Sequence, residues 1–374
     1  MKEMVSRIIV SIFASCLLAN GTMNTTSALA ANQSETIEIV MVGDMLMHTK
    51  VLDKGVQADG SYNYDFLFEH VGDKVQKADL ALVNQETILG GTELGLSGYP
   101  CFNSPYELGD ALVKTGFDVI LHATNHALDK NKSGLLNCMN YWEVNYPEIT
   151  YLGINKSQEA QDNNLFIYNQ NDIKIAVLNY TYGTNGISTP ADMPYAVNYL
   201  EKEQVVQDLQ KANELADFVI VCPHWGTEYQ LTISDNQKYW ANLFLENGVD
   251  LVIGTHPHVI EPIEWLSDEQ GNQMLVYYSI GNFVNGTSGT GSGVANRMVG
   301  GMADITIGKD ADGNVEILSY DAIPLVCHWD EEQITTYYLS DYTAELANNN
   351  DILEQDAEFS LEGCHALVEK VWNK

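Results

Sequence analysis

Leu251-Val252-Ile253 is a short apolar run that stops at Gly254 and is followed at once by His256-Pro257-His258. Such a run reads as a buried strand. Pro257 restricts the backbone between the two imidazoles, so their separation is partly set before any ligand arrives. An apolar strand that ends in polar, metal-capable side chains is the anatomy of an α/β active site, where the carboxyl ends of parallel strands carry the chemistry. Imidazole is the commonest metal ligand among side chains. Two loop histidines are equally at home on a surface, so the constraint comes from the repetition of this pattern along the chain.

The repetition is plain. Ile37–Val42 ends in Gly43-Asp44, Leu80–Val83 in Asn84-Gln85-Glu86-Thr87, Val119–Leu121 in His122-Ala123-Thr124-Asn125-His126, and Phe218–Cys222 in Pro223-His224-Trp225. Further strands are expected at Ile149–Leu152, Ile173–Tyr180 and Met274–Ile280. Helical patterns lie between them at Asp65–Lys77, Pro105–Thr115, Ser133–Val144, Leu200–Leu215 and Asn236–Asn247. Strands alternating with helices at this spacing define an α/β fold. After Ile280 two β-runs, Met302–Ile307 and Val315–Pro324, follow without helices between them. They predict an antiparallel addition to one sheet edge, or a second sheet packed on the first. The acidic tail from about Ile334 is expected to be helical and peripheral. Gly286–Gly301, rich in Gly, Ser and Thr, is too long for a tight turn and reads as a disordered loop or a mobile lid. Arg297 within it is either solvated or a scarce cation that a lid could bring to an anion.

The chain has 51 acidic and 18 basic side chains, a formal net charge of -33. That excess argues against nucleic acid and anionic lipid as partners, because both need a basic surface. An anionic ligand would need a local cation, which a bound metal could supply. At the N-terminus, Lys2 and Arg7 precede an apolar run from Ile8 to Leu18, and a polar stretch ends in Ala28-Leu29-Ala30. This is the pattern of a secretory signal cleaved after Ala30, so the protein is expected to be exported, extracellular or surface-associated. An uncleaved anchor and lipidation at Cys16 are the other readings. The division expected is a signal peptide at 1–30, a main domain at 31–330 and an acidic helical extension at 331–374. Cys101, Cys138, Cys222, Cys327 and Cys364 show no paired metal or disulfide spacing. Cys222 reads as a core residue, and a disulfide among the others stays open.

In a mostly parallel sheet the strand ends share one edge, so residues distant in sequence converge: Asp44; Glu86 with Asn84; Asn125 with His126; His224; His256 with His258. Carboxylates, an amide oxygen and imidazoles make a mixed N/O set suited to a divalent Mn, Zn or Fe rather than Ca or Mg. Two metals about 3.5–4 Å apart could share one carboxylate and activate a water between them.

Gly43-Asp44, Asn84-x-Glu86-Thr87, Thr124-Asn125-His126-Ala127-x-Asp129, His224-Trp225-Gly226-x-Glu228-Tyr229, Gly254-x-His256-Pro257-His258-Val259 and Ser279-x-Gly281-Asn282-Phe283 together resemble the ordered motifs of the CapA family. Those are bacterial capsule and poly-γ-glutamate biosynthesis proteins, and the family in turn resembles the calcineurin-like metallophosphoesterases. The resemblance implies a four-layer α/β/β/α sandwich of the metallophosphoesterase type. It implies that Asp44, Glu86 and His258 hold one metal, and that Glu86, Asn125, His224 and His256 hold the other. It implies that His126 protonates a leaving group or binds phosphate, that Asp129 orients it, and that Asn84, Glu228 and Asn282 support the ligands. Phosphoesterases usually place a histidine where Leu46 stands, with His48 two residues further on, and an aspartate where Glu86 stands. The first metal position is thereby one ligand short. The function implied is hydrolysis of a phosphoester or related acyl bond in an anionic envelope polymer or a small phosphorylated or acyl substrate. Membrane components of a capsule synthase are possible partners. The alternative is a non-catalytic accessory subunit of a capsule synthesis and export complex. A sugar-binding envelope protein, using Trp225 beside His224, is a third reading.

Overall fold

The computed structural model describes residues 36–163 and 165–373, so the signal-peptide reading of 1–30 and Cys16 lies outside the described residues. The strands are β1 (Thr36–Met45), β2 (Leu80–Asn84), β3 (Val119–Leu121), β4 (Thr150–Leu152), β5 (Phe166–Gln170), β6 (Ile173–Thr181) and β7 (Phe218–His224). They continue with β8 (Leu251–Ile253), β9 (Ile263–Ser267), β10 (Gln273–Tyr277), β11 (Asn282–Val284), β12 (Val299–Lys309), β13 (Val315–Trp329) and β14 (Ile334–Tyr338).

Two sheets result. The first runs β14-β13-β12-β1-β2-β3-β4 with β11 also on β1, and the second runs β5-β6-β7-β8-β10-β9. β1 to β4 are parallel, and β12 to β14 extend that sheet as antiparallel neighbours. In the second sheet β6, β7, β8 and β10 are parallel, flanked by antiparallel β5 and β9. Of the two alternatives for the late β-runs the first holds: they widen the first sheet as antiparallel neighbours of β1, and the second sheet is built from the earlier strands β5 to β10.

Alternation along the strands sets the layers. Ile173, Ile175 and Val177 of β6, with Phe218, Ile220 and Cys222 of β7, enter the core shared with the first sheet. Cys222 Sγ lies 3.8 Å from Met41 Sδ of β1, across the join. The opposite face of β6 and β7, carrying Ala176, Leu178, Val219 and Val221, packs on Val205 and Leu209 of helix Lys202–Leu215 and Phe244 of helix Asp235–Glu246. Ser234 starts the latter helix with a reciprocal capping box to Gln237. The first sheet is covered by helices Tyr106–Thr115 and Asn131–Asn145, and Trp142 Nε1 of the second donates to His122 Nε2 at 3.0 Å. The molecule is an α/β/β/α sandwich. No helix among the described residues is long and apolar enough to cross a membrane. All five cysteines there are free, and Cys222 is buried.

Four expectations are corrected. The strand ends do not share one sheet edge: two sheets contribute, because the chain leaves the first at β4 and opens the second at β5. The helix expected over Asp65–Lys77 divides into a 3-10 turn, Asp65–Phe68, and a short helix, Gly72–Lys77, with poorly helix-forming Gly72 at the break. The acidic tail is neither wholly helical nor peripheral. It opens with edge strand β14, whose β-branched and aromatic residues suit a pleated surface, and closes with helix Leu361–Trp372, which buries Cys364, Leu367, Val368 and Trp372 in the main core. Gly286–Gly301 is an ordered wall rather than a disordered loop. Gly291 N donates to Gln355 O at 2.9 Å, Ala295 N donates to Asp356 Oδ2 at 3.0 Å, and residues from Val299 already belong to β12. Those partners come from the tail, which the composition of the segment cannot reveal.

Candidate metal centre

Asp44 sits near the end of β1, in register with Asn84 of β2 on one side and Asn282 of β11 on the other. It is fully buried; Asn84 Nδ2 donates to Oδ1 at 2.7 Å and His256 N donates to Oδ2 at 3.2 Å. The facing sheet delivers His224 from the last position of β7 and His256 and His258 from the turn after β8. That turn departs from ordinary backbone: φ is +98° at His256 and +59° at His258. Non-glycine residues held there cost about 1–3 kcal/mol each, a cost that tends to persist where function requires it. The approach to the turn is equally tight, since a Cβ on Gly254 would stand 2.2 Å from Tyr278 O and 2.4 Å from Trp225 Nε1.

Glu86 is the centre of the cluster. Its Oε1 lies 3.6 Å from His258 Nε2, 3.7 Å from His224 Nε2 and 4.0 Å from His126 Nε2. Neither carboxylate oxygen has a hydrogen-bond partner, and both are buried; His256 Nδ1 and Asn84 Oδ1 are orphaned in the same way. Buried polar atoms are almost always satisfied, so several orphans around one point mark a place made for something that accepts their lone pairs. His258 Nδ1 is 3.2 Å from Asp44 Oδ2 and 3.0 Å from Asn282 Oδ1. His224 Nε2 is 2.9 Å from Asn125 Oδ1, while its Nδ1 meets Thr255 Oγ1 at 2.9 Å.

The electrostatics agree. Burial, reinforced by the charges of Asp44 and Glu228, pushes the Glu86 carboxyl well above the usual range, against the opposing effect of His258. Burial and the neighbouring imidazoles push His224 and His256 well down. His258 goes the other way: burial lowers it, but Glu86 and Asp44 outweigh that and raise it to about 10. Glu86 and Asp44 thus favour the protonated form of the His258 imidazole.

Three groupings have donor atoms close enough to share an ion: Asp44, Glu86 and His258; Glu86, His224 and His256; and Glu228, His256 and His258. The donor chemistry and the orphaned lone pairs fit a divalent transition metal. The first two groupings match the two expected sets, with Asn125 Oδ1 against His224. Glu228, expected only in support, belongs to the third.

Beside the cluster, His126 Nδ1 is 2.7 Å from Asp129 Oδ2, which also accepts from Phe102 N at 2.6 Å. A carboxylate only accepts, so the Nδ1 proton is fixed and Nε2 faces Glu86. Asn84 bridges Asp44 and His224, as its distance of 3.4 Å to His224 Nδ1 indicates. Asn282 Nδ2 donates to His258 O and Arg297 O, so it ties the histidine turn to the segment that carries Arg297. His126, Asp129, His258, Asn282 and Arg297 border a cavity of about 600 Å³ whose lining also includes Leu46, His48 and Glu228, while Glu86, fully buried, sits behind His126 and His258. Leu46 and His48 both face it, so the usual histidine position is occupied by an apolar side chain.

Sequence reasoning missed Asn179, whose Oδ1 accepts from Ala123 N at 2.7 Å and so positions the Asn125-His126 loop. It ends an apolar run on β6, the same signature that marked the others. It also missed Thr255 and Asn185; Asn185 Oδ1 accepts from Asn125 Nδ2 at 3.3 Å from a loop with no pattern to read.

The fold and site together define an α/β/β/α sandwich with a buried carboxylate–amide–imidazole cluster of metal-binding composition at the joint ends of its two sheets. The family model described as bacterial capsule synthesis protein PGA_cap matches residues 38–287, and the chain belongs to that family. It is 26% identical over 296 residues to the capsule biosynthesis protein CapA of Bacillus anthracis, covering 74% of this chain and 67% of that one. It is 30% identical over 169 residues to the PGA biosynthesis protein CapA of Bacillus subtilis, covering 45% of this chain and 42% of that one. Among solved structures it overlaps the NAD nucleotidase of Haemophilus influenzae (TM-score 0.46, 13% identity, 78% of this chain and 56% of that one). It overlaps a 5'-nucleotidase precursor of Thermus thermophilus similarly (TM-score 0.46, 13% identity, 78% and 54%). Overlaps at this level assign neither fold nor activity by themselves.

Proposed function

We propose that this protein is an exported, metal-dependent hydrolase of the cell envelope that cleaves a phosphoester or related acyl bond in capsular polymer metabolism. The observation that carries the reading is Glu86: a fully buried carboxylate, both oxygens unpartnered, between the Nε2 atoms of His224 and His258. Leaving a buried acceptor unsatisfied costs about 1–3 kcal/mol, more for a charged group, and a cation held there removes that cost. Asp44, Glu86 and His258, and Glu86, Asn125, His224 and His256, would hold one or two divalent ions, with Glu228 within reach of the second histidine pair. A bound divalent cation supplies charge for an anionic ligand and polarises the bond to be broken.

The remaining work belongs to the chain. His126 presents Nε2 at the cavity wall, where it can deliver a proton to a departing oxygen. Asp129 fixes its ring and tautomer, and Phe102 N holds Asp129 in turn. Asn84 and Asn282 keep Asp44 and His258 in position.

Elemental analysis of protein purified without added metal, beside Glu86→Ala and His256→Ala, tests the reading. Bound transition metal in the parent and its loss from both variants is the expected result; unchanged metal content in both would sink it. The second reading, a non-catalytic accessory subunit, draws on Leu46 in the cavity wall where a metal-binding histidine is usual. Tight metal binding with no turnover across a broad panel of phosphodiesters and acyl substrates would favour it.

A further inference from the structure

Arg297 is the one Lys or Arg lining the cavity among the described residues. In a chain with 51 carboxylates against 18 basic side chains, its guanidinium makes no ion pair there. It is nevertheless held firmly. Its Cζ stands 3.5 Å from the centre of the Tyr229 ring, and Nη1 donates to Thr287 Oγ1 at 2.8 Å. A Cβ on Gly289 would come within 2.9 Å of Nη1, so the glycine backbone closes on the guanidinium from another side. Its Nε is buried with no partner, and Nη2 has no protein acceptor among the described residues. The carbonyl of the same residue accepts from Asn282 Nδ2 at 2.9 Å, and Asn282 Oδ1 meets His258 Nδ1 at 3.0 Å. The guanidinium is thus braced against the element that sets the His258 imidazole.

We propose that Arg297 is the anion-recognising residue of this cavity, taking a phosphate or carboxylate group of the ligand while the cluster around Glu86 receives another part of it. This rests on reading the cavity as the reaction site. A planar, permanently charged fork suits both anion types, and its geometry favours two parallel hydrogen bonds. Stacking on Tyr229 and the bond to Thr287 pre-arrange it, so little freedom is lost on binding. An unpaired cation is also what an otherwise acidic surface needs to admit an anion.

The test uses the manganese-loaded protein, titrated calorimetrically with inorganic phosphate and, separately, with glutarate. Arg297→Gln is expected to weaken the anion that binds by about tenfold or more, with metal content and thermal midpoint unchanged. Arg297→Lys is expected to retain part of the affinity, with the larger loss for glutarate if a carboxylate is the natural group. Equal affinity in parent and Arg297→Gln overturns the proposal, as does the absence of binding of either anion to the parent at millimolar concentration. Loss of metal together with anion in both variants also overturns it, in favour of a purely structural role. A parent that binds anion through Arg297 but takes up no metal sinks the hydrolase reading and leaves this one standing.

Discussion

Glu261 lies at the foot of the histidine turn, three positions beyond His258. Its Oε2 accepts from Gln237 Nε2 at 2.5 Å, while Oε1 is buried without a partner. Burial raises its carboxyl from 4.5 to about 8, against the lowering effect of Gln237. The sign of the consequence follows from proton counting. Between these two values the unfolded chain has lost the proton and the folded chain keeps it, so stability falls as pH rises from about 4.5 to about 8 and is level beyond. Glu261→Gln keeps the shape and removes the charge. Urea denaturation as a function of pH is expected to show a flatter profile for this variant, with a gain of about 1–3 kcal/mol above pH 8. An unchanged profile would mean that another group carries the dependence.

At the scale of elements, the site is a property of strand ends. β1 and β2 bring Asp44 and Asn84 side by side in register, and an isolated bridge pairs His224 with Thr255. The last helix, Leu361–Trp372, is part of this scaffold although it is far along the chain. The Trp372 indole packs so closely on β12 that a Cβ at Gly301 would meet its Cη2 at 2.4 Å, and Nε1 donates to Glu261 O at 2.9 Å. Trp372→Ala is therefore expected to cost about 3–5 kcal/mol, read as a lower urea midpoint. A tail merely resting on the surface would cost nothing measurable. The β-branched and aromatic residues of Ile334–Tyr338 favour a strand, whereas the acidic residues around them point to a solvated helix. The order of Gly286–Gly301 had no local signal at all, because its hydrogen bonds go to Gln355 and Asp356, more than fifty residues away.

For the whole molecule, the candidate centre joins two sheets: Asp44, Glu86 and Asn125 come from the first, and His224, His256 and His258 from the second. On the proposed reading, an ion held between them would tie the halves of the sandwich and bind the folded state in preference to the unfolded one. Adding manganese to chelator-treated protein is thus expected to raise its thermal midpoint, with a stabilisation of about 2.7 kcal/mol at a hundredfold excess over the dissociation constant. In Glu86→Ala the midpoint should not respond to manganese; a full response there would place the ion elsewhere.

Which residues gather at the candidate site was legible in the chain itself, because an apolar run that stops at an acid, amide or imidazole is a local pattern, and Asp44, Glu86, Asn125, His126, His224, His256 and His258 all sit in one. Periodicity likewise determined the alternation of strands and helices, since burial of one face is written into neighbouring side chains. Which strands enter which sheet, the reach of Glu228 toward His256 and His258, the brace from Asn282 to Arg297 and the support from Asn179 were decided by tertiary structure alone. Each depends on segments distant in sequence approaching within hydrogen-bond or ligand distance, and no local pattern encodes that separation.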